Sequence, residues 1–266
     1  MTPVHFRSVH PWDLPYHEAV AWQRRLRRRL RTDRPLDIAA LRTVAGADVA
    51  YEPRRRHRRG PGGNAAAPTA RFVAAVVVMR LPHLEVAETA AAAAETSFPY
   101  IPGLLSFREG PALQGAFARL SRRPDVVVFD GQGIAHPRGL GLAAHLGILL
   151  GCPAVGCAKS RLYGVTRGEP AARRGSRRAI LAPQGPVRRR GGHGTEVLPF
   201  QPGERIGTLL RTRDGVKPVW VSCGHLVDLP SAERLILRTT RGYRLPEPIR
   251  AAHRLVNTEL RRITTR

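Results

Sequence analysis

The chain has 266 residues and a net charge of +24, from 44 lysine and arginine residues against 20 acidic ones. Such an excess of cations predicts a polyanionic partner, because each phosphate contact releases condensed counterions. No apolar run reaches the roughly 18 residues of a membrane span, and the start MTPVHFRSVHPWDLP lacks the basic-then-apolar order of a signal peptide. Three cysteines without metal-site spacing indicate reduced thiols, so we expect a cytoplasmic protein with no membrane partner.

The first predicted elements are a basic amphipathic helix over 15–31, PYHEAVAWQRRLRRRLR, and a strand in VAGADVAY at 44–51. A long loop of arginine, glycine and proline at 53–70 leads to a β-rich run at 70–81. The segment LEVAETAAAAAETSF at 84–98 is ambiguous, since its alanines favour a helix. Its place between a strand and a proline-rich turn favours a third antiparallel strand.

The later elements alternate between strands and helices. We predict a helix after Pro111, a buried strand in PDVVVFDGQG, a helix in LGLAAHLGILLG and a short strand in PAVGCAKSRLYG. Residues 204–225 are typical of a hairpin whose turn is Asp214-Gly215. Helices follow in DLPSAERLILRTT and EPIRAAHRLVNTELRRIT. Three strands followed by this alternation predict an α/β fold, a mixed sheet with helices on both faces.

One long stretch departs from the alternating pattern. Between residues 165 and 195, glycine, proline and arginine replace apolar periodicity, which predicts a disordered insertion and not a domain boundary. We therefore expect a basic helical extension at 1–34 and a single domain at 35–266 that contains this insertion.

Two aspartates occupy positions that are unusual for a carboxylate. Asp48 lies inside the apolar strand VAGADVAY, and Asp130 ends VVVFD directly before a glycine-rich loop. A buried unpaired carboxylate is unfavourable, whereas one at a strand end can bind a hard cation or cap the following turn. Together with Glu109, close to the stiff FPYIP turn, they can form an acidic cluster. In a chain this basic, such a cluster indicates Mg²⁺ held for phosphodiester chemistry.

Three histidines and one lysine are further candidates for the site. His225 follows a strand in VSCGHLVDL, while His136 and His145 lie in QGIAHPRG and LAAHLG. A lone histidine is more often a hydrogen-bonded structural residue than a catalytic one. Lys159 is the stronger signal, because it follows a strand in a chain whose only other lysine is Lys217.

Several long segments resemble the endonuclease V family, whose members cut nucleic acid beside deaminated bases. FPYIPGLLSFREGP, VVFDGQGIAHPRGLGLAAHLG, PAVGCAKSRLYG and TRDGVKPVWVSCGH resemble family blocks in the family's order. AGADVAY and LPEPIRAAHRLVN resemble the flanking blocks, so the resemblance covers most of residues 35–260. It implies that the domain at 35–266 has an RNase H-like fold, a mixed β-sheet flanked by helices on both faces.

The resemblance also implies an activity. It is Mg²⁺-dependent hydrolysis of the second phosphodiester bond 3′ to hypoxanthine, the base of inosine, as the first step of DNA repair, with Mn²⁺ as a substitute for Mg²⁺. The implied partner is DNA containing deoxyinosine, with inosine-containing RNA as the alternative. The protein is expected to act as a monomer.

The resemblance assigns roles by matching motif to motif. It implies that Asp48, Glu109 and Asp130 are catalytic metal ligands and that His225 is the active-site histidine. The other implied roles are wedge and lesion recognition for Pro99, Tyr100, Ile101, Pro102, Gly103, Gly131, Gln132, Gly133 and His136, and phosphate contact for Arg108 and Lys159.

The PYIP tip has a physical reason in this scheme. A base must leave the helical stack before an enzyme can read its edges, and something rigid must fill the gap. Proline on both sides of Tyr100-Ile101 removes backbone freedom, so the tip loses little entropy when it enters the helix.

Other functions remain open from the sequence. A junction resolvase, another RNase H-like nuclease, uses the same carboxylates but needs no PYIP wedge and shows no preference for inosine. An inosine-specific endoribonuclease differs in its contacts to the 2′-hydroxyl. A non-catalytic nucleic-acid binder needs only the arginines, since charge supplies non-specific affinity, and leaves the carboxylates unexplained.

Overall fold

The structure, a computed structural model, describes residues 4, 6–7, 9–52, 70–184 and 199–264. In these residues the chain forms one eight-stranded sheet and five helices. The helices are α1 (Tyr16–Arg27), α2 (Leu105–Phe117), α3 (Leu142–Leu150), α4 (Leu229–Arg238) and α5 (Glu247–Thr264). The strands are β1 (Thr43–Tyr51), β2 (Ala70–Arg80), β3 (Glu85–Thr96), β4 (Val126–Phe129), β5 (Ala154–Ala158), β6 (Arg177–Leu181), β7 (Arg205–Leu210) and β8 (Val219–His225).

The sheet is mixed, with the strand order β3-β2-β1-β4-β5-β8-β7-β6. The central strands β1, β4 and β5 are parallel, and β2, β3, β8, β7 and β6 add antiparallel neighbours on the two sides. Because β1, β4 and β5 are parallel, their carboxyl ends meet along one border of the sheet, which we call the carboxyl edge. The third antiparallel strand and the hairpin β7–β8 are thus confirmed.

Helices cover both faces of the sheet, as predicted. β4 alternates between the faces: Val127 and Phe129 are buried with Leu146 of α3, whereas Val128 is buried with Ile249 of α5. This alternation explains why VVVF is a continuous apolar run. No helix in the described ranges is long and apolar enough to cross a membrane. The three cysteines are buried and free of disulfides.

The amino-terminal helix is shorter than predicted and is packed into the core. α1 ends at Arg27, and Arg28 to Leu30 continue as turns. Leu26 is fully buried beside Leu140 and Ile148, where it joins α1 to α3. The basic helix at the start of the chain is therefore confirmed as a helix, and it packs against α3 through a shared hydrophobic cluster.

Helix α2 begins earlier than the sequence indicated. Its first residue is Leu105, and Pro111 lies inside it, whereas the helix was predicted to start after this proline. A proline within a helix costs about 3 kcal/mol. Phe107 and Leu113 on either side are fully buried, and burial of such side chains contributes about 1.5–3 kcal/mol each, so packing outweighs the proline. Glu109 consequently lies on a helix and not on a loop.

Part of the predicted disordered insertion at 165–195 is ordered, so the prediction is wrong for residues 165–184. Strand β6 pairs with β7, and Val165 forms a β-bridge with Leu181. Ile180 is fully buried, but the apolar run Ala179 to Ala182 is short and lies among arginine, glycine and proline, so it is too weak a pattern to reveal a strand. Residues 185–195 of the predicted insertion, and 53–69 of the predicted arginine-rich loop, lie outside the described residues.

Candidate active site

Two of the predicted carboxylates meet at the carboxyl edge. In the parallel register of β1 and β4, Ala47 lies opposite Phe129, so the next residues, Asp48 and Asp130, are neighbours. Glu109 is brought to them by α2, which packs over β2 and β3, and the charges of both aspartates act on it. The fold thus assembles the three acidic residues from a strand, a strand end and a helix.

The three carboxylates repel one another. Burial and the charges of Asp48 and Asp130 raise the pKa of Glu109 to about 8, against the opposing charge of the neighbouring Arg108. Burial and the charge of Asp48 also raise the pKa of Asp130. Like charges that shift pKa values upward in this way mark a site that favours a cation or a proton.

Lys159 supplies one positive charge to this group. It follows β5, and its Nζ lies 2.5 Å from Oδ2 of Asp130, a carboxylate that is 11% exposed. Burial lowers the pKa of the Lys159 ammonium, but the bond to Asp130 and the charges of Asp130 and Asp48 produce a net upward shift. Arg244 fixes the same segment, because its Nη2 donates to the carbonyl oxygen of Lys159 at 2.6 Å. Sequence reasoning missed Arg244.

His253 supplies the second partner. Its Nδ1 lies 2.7 Å from Oδ2 of Asp48, and the Nδ2 group of Asn257 lies 3.2 Å from its Nε2. Because the amide Nδ2 can only donate, Nε2 is the acceptor, and in the neutral ring Nδ1 carries the hydrogen that Asp48 accepts. Sequence reasoning missed this histidine, although it lies in the block LPEPIRAAHRLVN, because a helix surface gives no strand-end signal.

The structure does not bring His225 to the carboxylates, so the prediction that it lies with them is wrong. His225 ends β8, which is antiparallel to β5, and it pairs with Ala154 at the start of β5. Lys159 lies beyond the other end of β5, about 16 Å away along the strand. The Nδ1 atom of His225 accepts a hydrogen bond from the backbone N–H of Arg31 at 3.3 Å. Burial, with the charges of Arg31 and Arg7, lowers the pKa of His225 to about 4.

A pocket of about 270 Å³ opens beside the acidic group. Seven of the nine residues predicted for wedge and lesion recognition line it, namely Tyr100, Ile101, Pro102, Gly103, Gly131, Gln132 and His136. Other parts of its wall come from α1, the start of α2, the start of α3 and the segment after β5, with residues such as Gln23, Ser106, Leu142, Ser160 and Arg161. The pocket therefore joins the wedge to the segment that carries Lys159.

The PYIP turn that carries Tyr100 is held at its end by hydrogen bonds to one carbonyl group, that of Gly103. It accepts hydrogen bonds from Gln23 Nε2 at 2.9 Å, His136 Nε2 at 2.9 Å and Arg138 Nη2 at 2.6 Å. Gly103 has φ +82°, a conformation that favours glycine. Burial and the Arg138 charge lower the pKa of His136 to about 3, so its ring is neutral. Its Nδ1 accepts from the Arg138 N–H, so Nε2 is the donor.

Two predicted recognition residues do not line the pocket. Pro99 is exposed next to the wedge residue Tyr100, whereas Gly133 is buried in the loop that follows β4. A Cβ on Gly133 would come within 2.0 Å of the carbonyl oxygen of Cys223, and one on Gly156 within 2.3 Å of the Gly133 nitrogen. The backbones of the β4 loop, β5 and β8 thus touch directly, which gives Gly133 a packing role.

Tyr100 and Arg108 form the outer rim of the site. Tyr100 is 69% exposed, as a wedge requires. The guanidinium carbon of Arg108 lies 5.8 Å from the centre of the Tyr100 ring. Arg108 is therefore placed between the wedge and Glu109, its neighbour in sequence.

The chain is similar throughout to proteins of one family. A profile of the Endonuclease V family matches residues 24–254. The Endonuclease V of Gloeobacter violaceus is 41% identical over 250 residues, which are 94% of this chain and 88% of the relative. That of Myxococcus xanthus is 43% identical over 250 residues, 94% of this chain and 92% of the relative.

Solved structures give the same result. The crystal structure of the Endonuclease V from Streptomyces avermitilis has 38% identity and a TM-score of 0.79, and the match covers 99% of this chain and 100% of that one. An Endonuclease V of Ciona intestinalis, solved with a 23mer DNA containing an inosine followed by a ribo-adenosine, has 25% identity and a TM-score of 0.67, with 93% and 97% covered. Because the profile runs from within α1 into α5, and the bacterial relatives match nearly the whole chain, the chain belongs to the Endonuclease V family of nucleases.

Proposed function

We propose that the chain is a Mg²⁺-dependent endonuclease that recognises hypoxanthine in DNA and hydrolyses the second phosphodiester bond on its 3′ side, a reaction that initiates repair. The observation that carries this proposal is the shared position of Asp48, Glu109 and Asp130 at the carboxyl edge, directly beside a pocket rimmed by Tyr100. The Ciona intestinalis relative with an inosine-containing strand supports the choice of base.

The chemistry of the donor set fits Mg²⁺. Asp48, Glu109 and Asp130 present carboxylate oxygens, the ligands that this cation prefers, and their mutual repulsion is what a divalent cation relieves. Among the described residues, no group of three or more His, Cys, Asp or Glu side chains stands ready to hold a metal. A bound Mg²⁺ polarises the phosphate and lowers the pKa of a coordinated water.

The surrounding residues position the nucleic acid and the water. Lys159 neutralises Asp130 and places a positive charge where the phosphate must lie. We assign to His253 the active-site role that sequence reasoning gave to His225, because it is bonded to Asp48. A histidine in this place can orient the attacking water or accept its proton, which is typically worth about 10²- to 10⁴-fold in rate.

The pocket and the wedge account for base recognition. A hypoxanthine turned out of the helix enters the pocket, while Tyr100 fills the space that it leaves. The Gly103 carbonyl is bonded to three donors before any substrate binds, so the wedge is held in place in advance. Preorganisation of this kind reduces the entropy lost on binding.

The test is a cleavage assay on four matched single strands, which contain inosine or adenosine in DNA or in RNA. With Mg²⁺ or Mn²⁺, we expect cutting of the inosine DNA and a product whose length places the cut at the second bond on the 3′ side. Chelation of the metal should abolish cutting. Equal cutting of inosine and adenosine strands would favour a resolvase-like nuclease, and tight binding without cutting would favour a non-catalytic binder.

The RNA strands are included because the strand bound to the Ciona intestinalis relative carries a ribo-adenosine after the inosine. That observation supports an inosine-specific endoribonuclease as the second candidate. Faster cutting of inosine RNA than of inosine DNA would select it.

A further inference from the structure

We infer that Tyr51, at the end of β1, is a second stacking site for nucleic acid, which holds an unpaired nucleobase next to the scissile phosphate. This inference rests on the proposed nuclease function, which makes a nucleic-acid strand the substrate. It differs from the wedge at Tyr100 in place and in selectivity.

The first observation is an aromatic and arginine cluster on the rim of the site. The guanidinium carbon of Arg108 lies 5.8 Å from the centre of the Tyr51 ring, 5.0 Å from that of Phe72 and 5.8 Å from that of Tyr100. The Tyr51 and Phe72 rings are 5.5 Å apart and tilted by 31°. One arginine therefore links the wedge to a second exposed tyrosine.

The second observation is that the cluster is open to solvent. Tyr51 is 54% exposed, whereas Phe72 behind it is buried. The Nε atom of Arg108 is buried without a hydrogen-bond partner among the described residues. The guanidinium group is therefore in contact with aromatic rings, and its Nε–H donates to no acceptor in the described part of the chain. Exposed rings beside an arginine are what proteins use to bind single strands, since bases stack on the rings and phosphates pair with the cation.

The position of Tyr51 favours a base over other ligands. Tyr51 follows Asp48 by three residues on the same strand, which is about 10 Å. The odd spacing puts the two side chains on opposite faces of the sheet, and the Tyr51 ring lies with Phe72 on the face that α2 covers, beside Arg108. A strand whose flipped base lies in the pocket passes Tyr100 and Arg108, and the Tyr51 ring is the next exposed aromatic surface in that direction. The net charge of +24 attracts such a strand to the surface.

The expected selectivity follows from the chemistry of stacking. Every base has an aromatic face, so stacking on an open ring tolerates any sequence. Tyr51 should therefore contribute equally to the binding of inosine and adenosine strands. Discrimination between the two bases belongs to the pocket.

The experiment measures binding in chelator, where no cutting occurs, to matched inosine and adenosine single strands. Tyr51→Leu keeps an apolar cover over Phe72 but removes the aromatic face, and it should weaken binding of both strands about tenfold, since stacking contributes about 1–3 kcal/mol per base. Tyr51→Phe should bind within about twofold of the parent, because the ring is kept. A 2-aminopurine moved along the strand should become brighter at one position in Tyr51→Leu.

The matched control is Tyr243→Leu. Tyr243 is 53% exposed and also lies against an arginine, Arg250, but has no contact with Arg108. Its replacement should leave binding unchanged, and melting temperatures of all variants should stay close to that of the parent. Parent-like binding by Tyr51→Leu, equal losses in Tyr51→Leu and Tyr51→Phe, or a loss confined to the inosine strand would overturn the inference. Failure of the parent chain to bind either strand would instead refute the proposed function.

Discussion

The acidic group at the carboxyl edge and the Gly103 carbonyl at the base of the wedge lie side by side, but they are built in opposite ways. At the carboxyl edge, burial and neighbouring negative charge raise the pKa values of Glu109 and Asp130, while Lys159 pairs with Asp130 and His253 is bonded to Asp48. At Gly103, donors from two separate parts of the chain converge on one acceptor, and the histidine among them is neutral.

This difference separates two tasks. A recognition surface benefits from being finished before the ligand arrives, because less freedom is lost on binding. A centre for phosphoryl chemistry benefits from an excess of negative charge, because a cation bound there then compensates the carboxylates and can act on the phosphate. The four predictions below test this division, in order of decreasing effect.

The largest effect is expected from Asp130→Asn. Loss of this carboxylate would remove one of the three proposed Mg²⁺ ligands, and metal-assisted phosphate activation is worth several kcal/mol, so cutting of inosine strands should fall by about a thousandfold. Binding of the inosine strand in chelator should persist, because the pocket is unchanged. Asp37→Asn, at an exposed carboxylate on the loop before β1, is the control. Near-parent turnover by Asp130→Asn would show that the acidic group is not the catalytic centre.

The second prediction compares two histidines. His253→Ala should reduce cutting by about a hundredfold, since a catalytic histidine contributes about 10²- to 10⁴-fold. His225→Ala should cut at the parent rate, because this residue lies at the opposite end of β5 from Lys159. Single-turnover rates at saturating enzyme separate this effect from binding. The opposite ranking of the two variants would restore the role that the sequence suggested for His225.

The third prediction tests the wedge. Tyr100→Ala should weaken binding and cutting of inosine in a duplex about tenfold more than in a single strand, because opening a pair costs about a few kcal/mol that stacking helps to offset. The comparison uses the same inosine strand with and without its complement. Equal losses on both substrates would mean that Tyr100 supports the fold of the loop.

The smallest effect concerns pH and the neutral His136. Its pKa is about 3 in the folded protein and about 6.5 when unfolded, so the unfolded chain binds the extra proton as pH falls below 6.5. Stability that is fully present above pH 6.5 is then lost progressively between 6.5 and 3, by about 2 kcal/mol at pH 5.

Denaturant unfolding at pH 7.5 and pH 5 measures this loss. His136→Gln, which keeps an N–H donor near the Gly103 carbonyl, should flatten the pH dependence by about 2 kcal/mol. His83→Gln, at an exposed histidine on the β2–β3 turn, should not. A pH dependence that is the same in all three proteins would show that His136 is charged or solvated in the folded state.

The sequence predicted well those features that depend on local pattern. The strands other than β6, the hairpin at Asp214-Gly215 and the positions of Asp48 and Asp130 follow from apolar runs and their ends. The longer segments that resemble the family, in the family's order, predicted the exposed Tyr100 turn and seven of the residues that line the pocket.

The features that the sequence missed depend on contacts between distant parts of the chain. His253 can be recognised as a site residue only from its hydrogen bond to Asp48, which lies 205 residues earlier. The sequence pattern of an exposed helix surface does not predict such a partner. His225 was misplaced because the direction of β8 relative to β5 is a property of the sheet and not of the segment. The sequence of α1 shows only a basic amphipathic helix. Gln23 donates to the Gly103 carbonyl because α1 packs against α3, a contact that the sequence does not show.

The direct backbone contact at Gly133 bears on how variants of this enzyme should be screened. Any side chain at Gly133 collides with the Cys223 carbonyl, and any at Gly156 collides with Gly133, so both positions are closed to substitution by geometry alone. A mutational scan scored only by nuclease activity would not distinguish these glycines from residues that contact the substrate. Scoring protein abundance in parallel would separate them, because variants at Gly133 should disappear from the cell whereas variants at Tyr100 should accumulate normally.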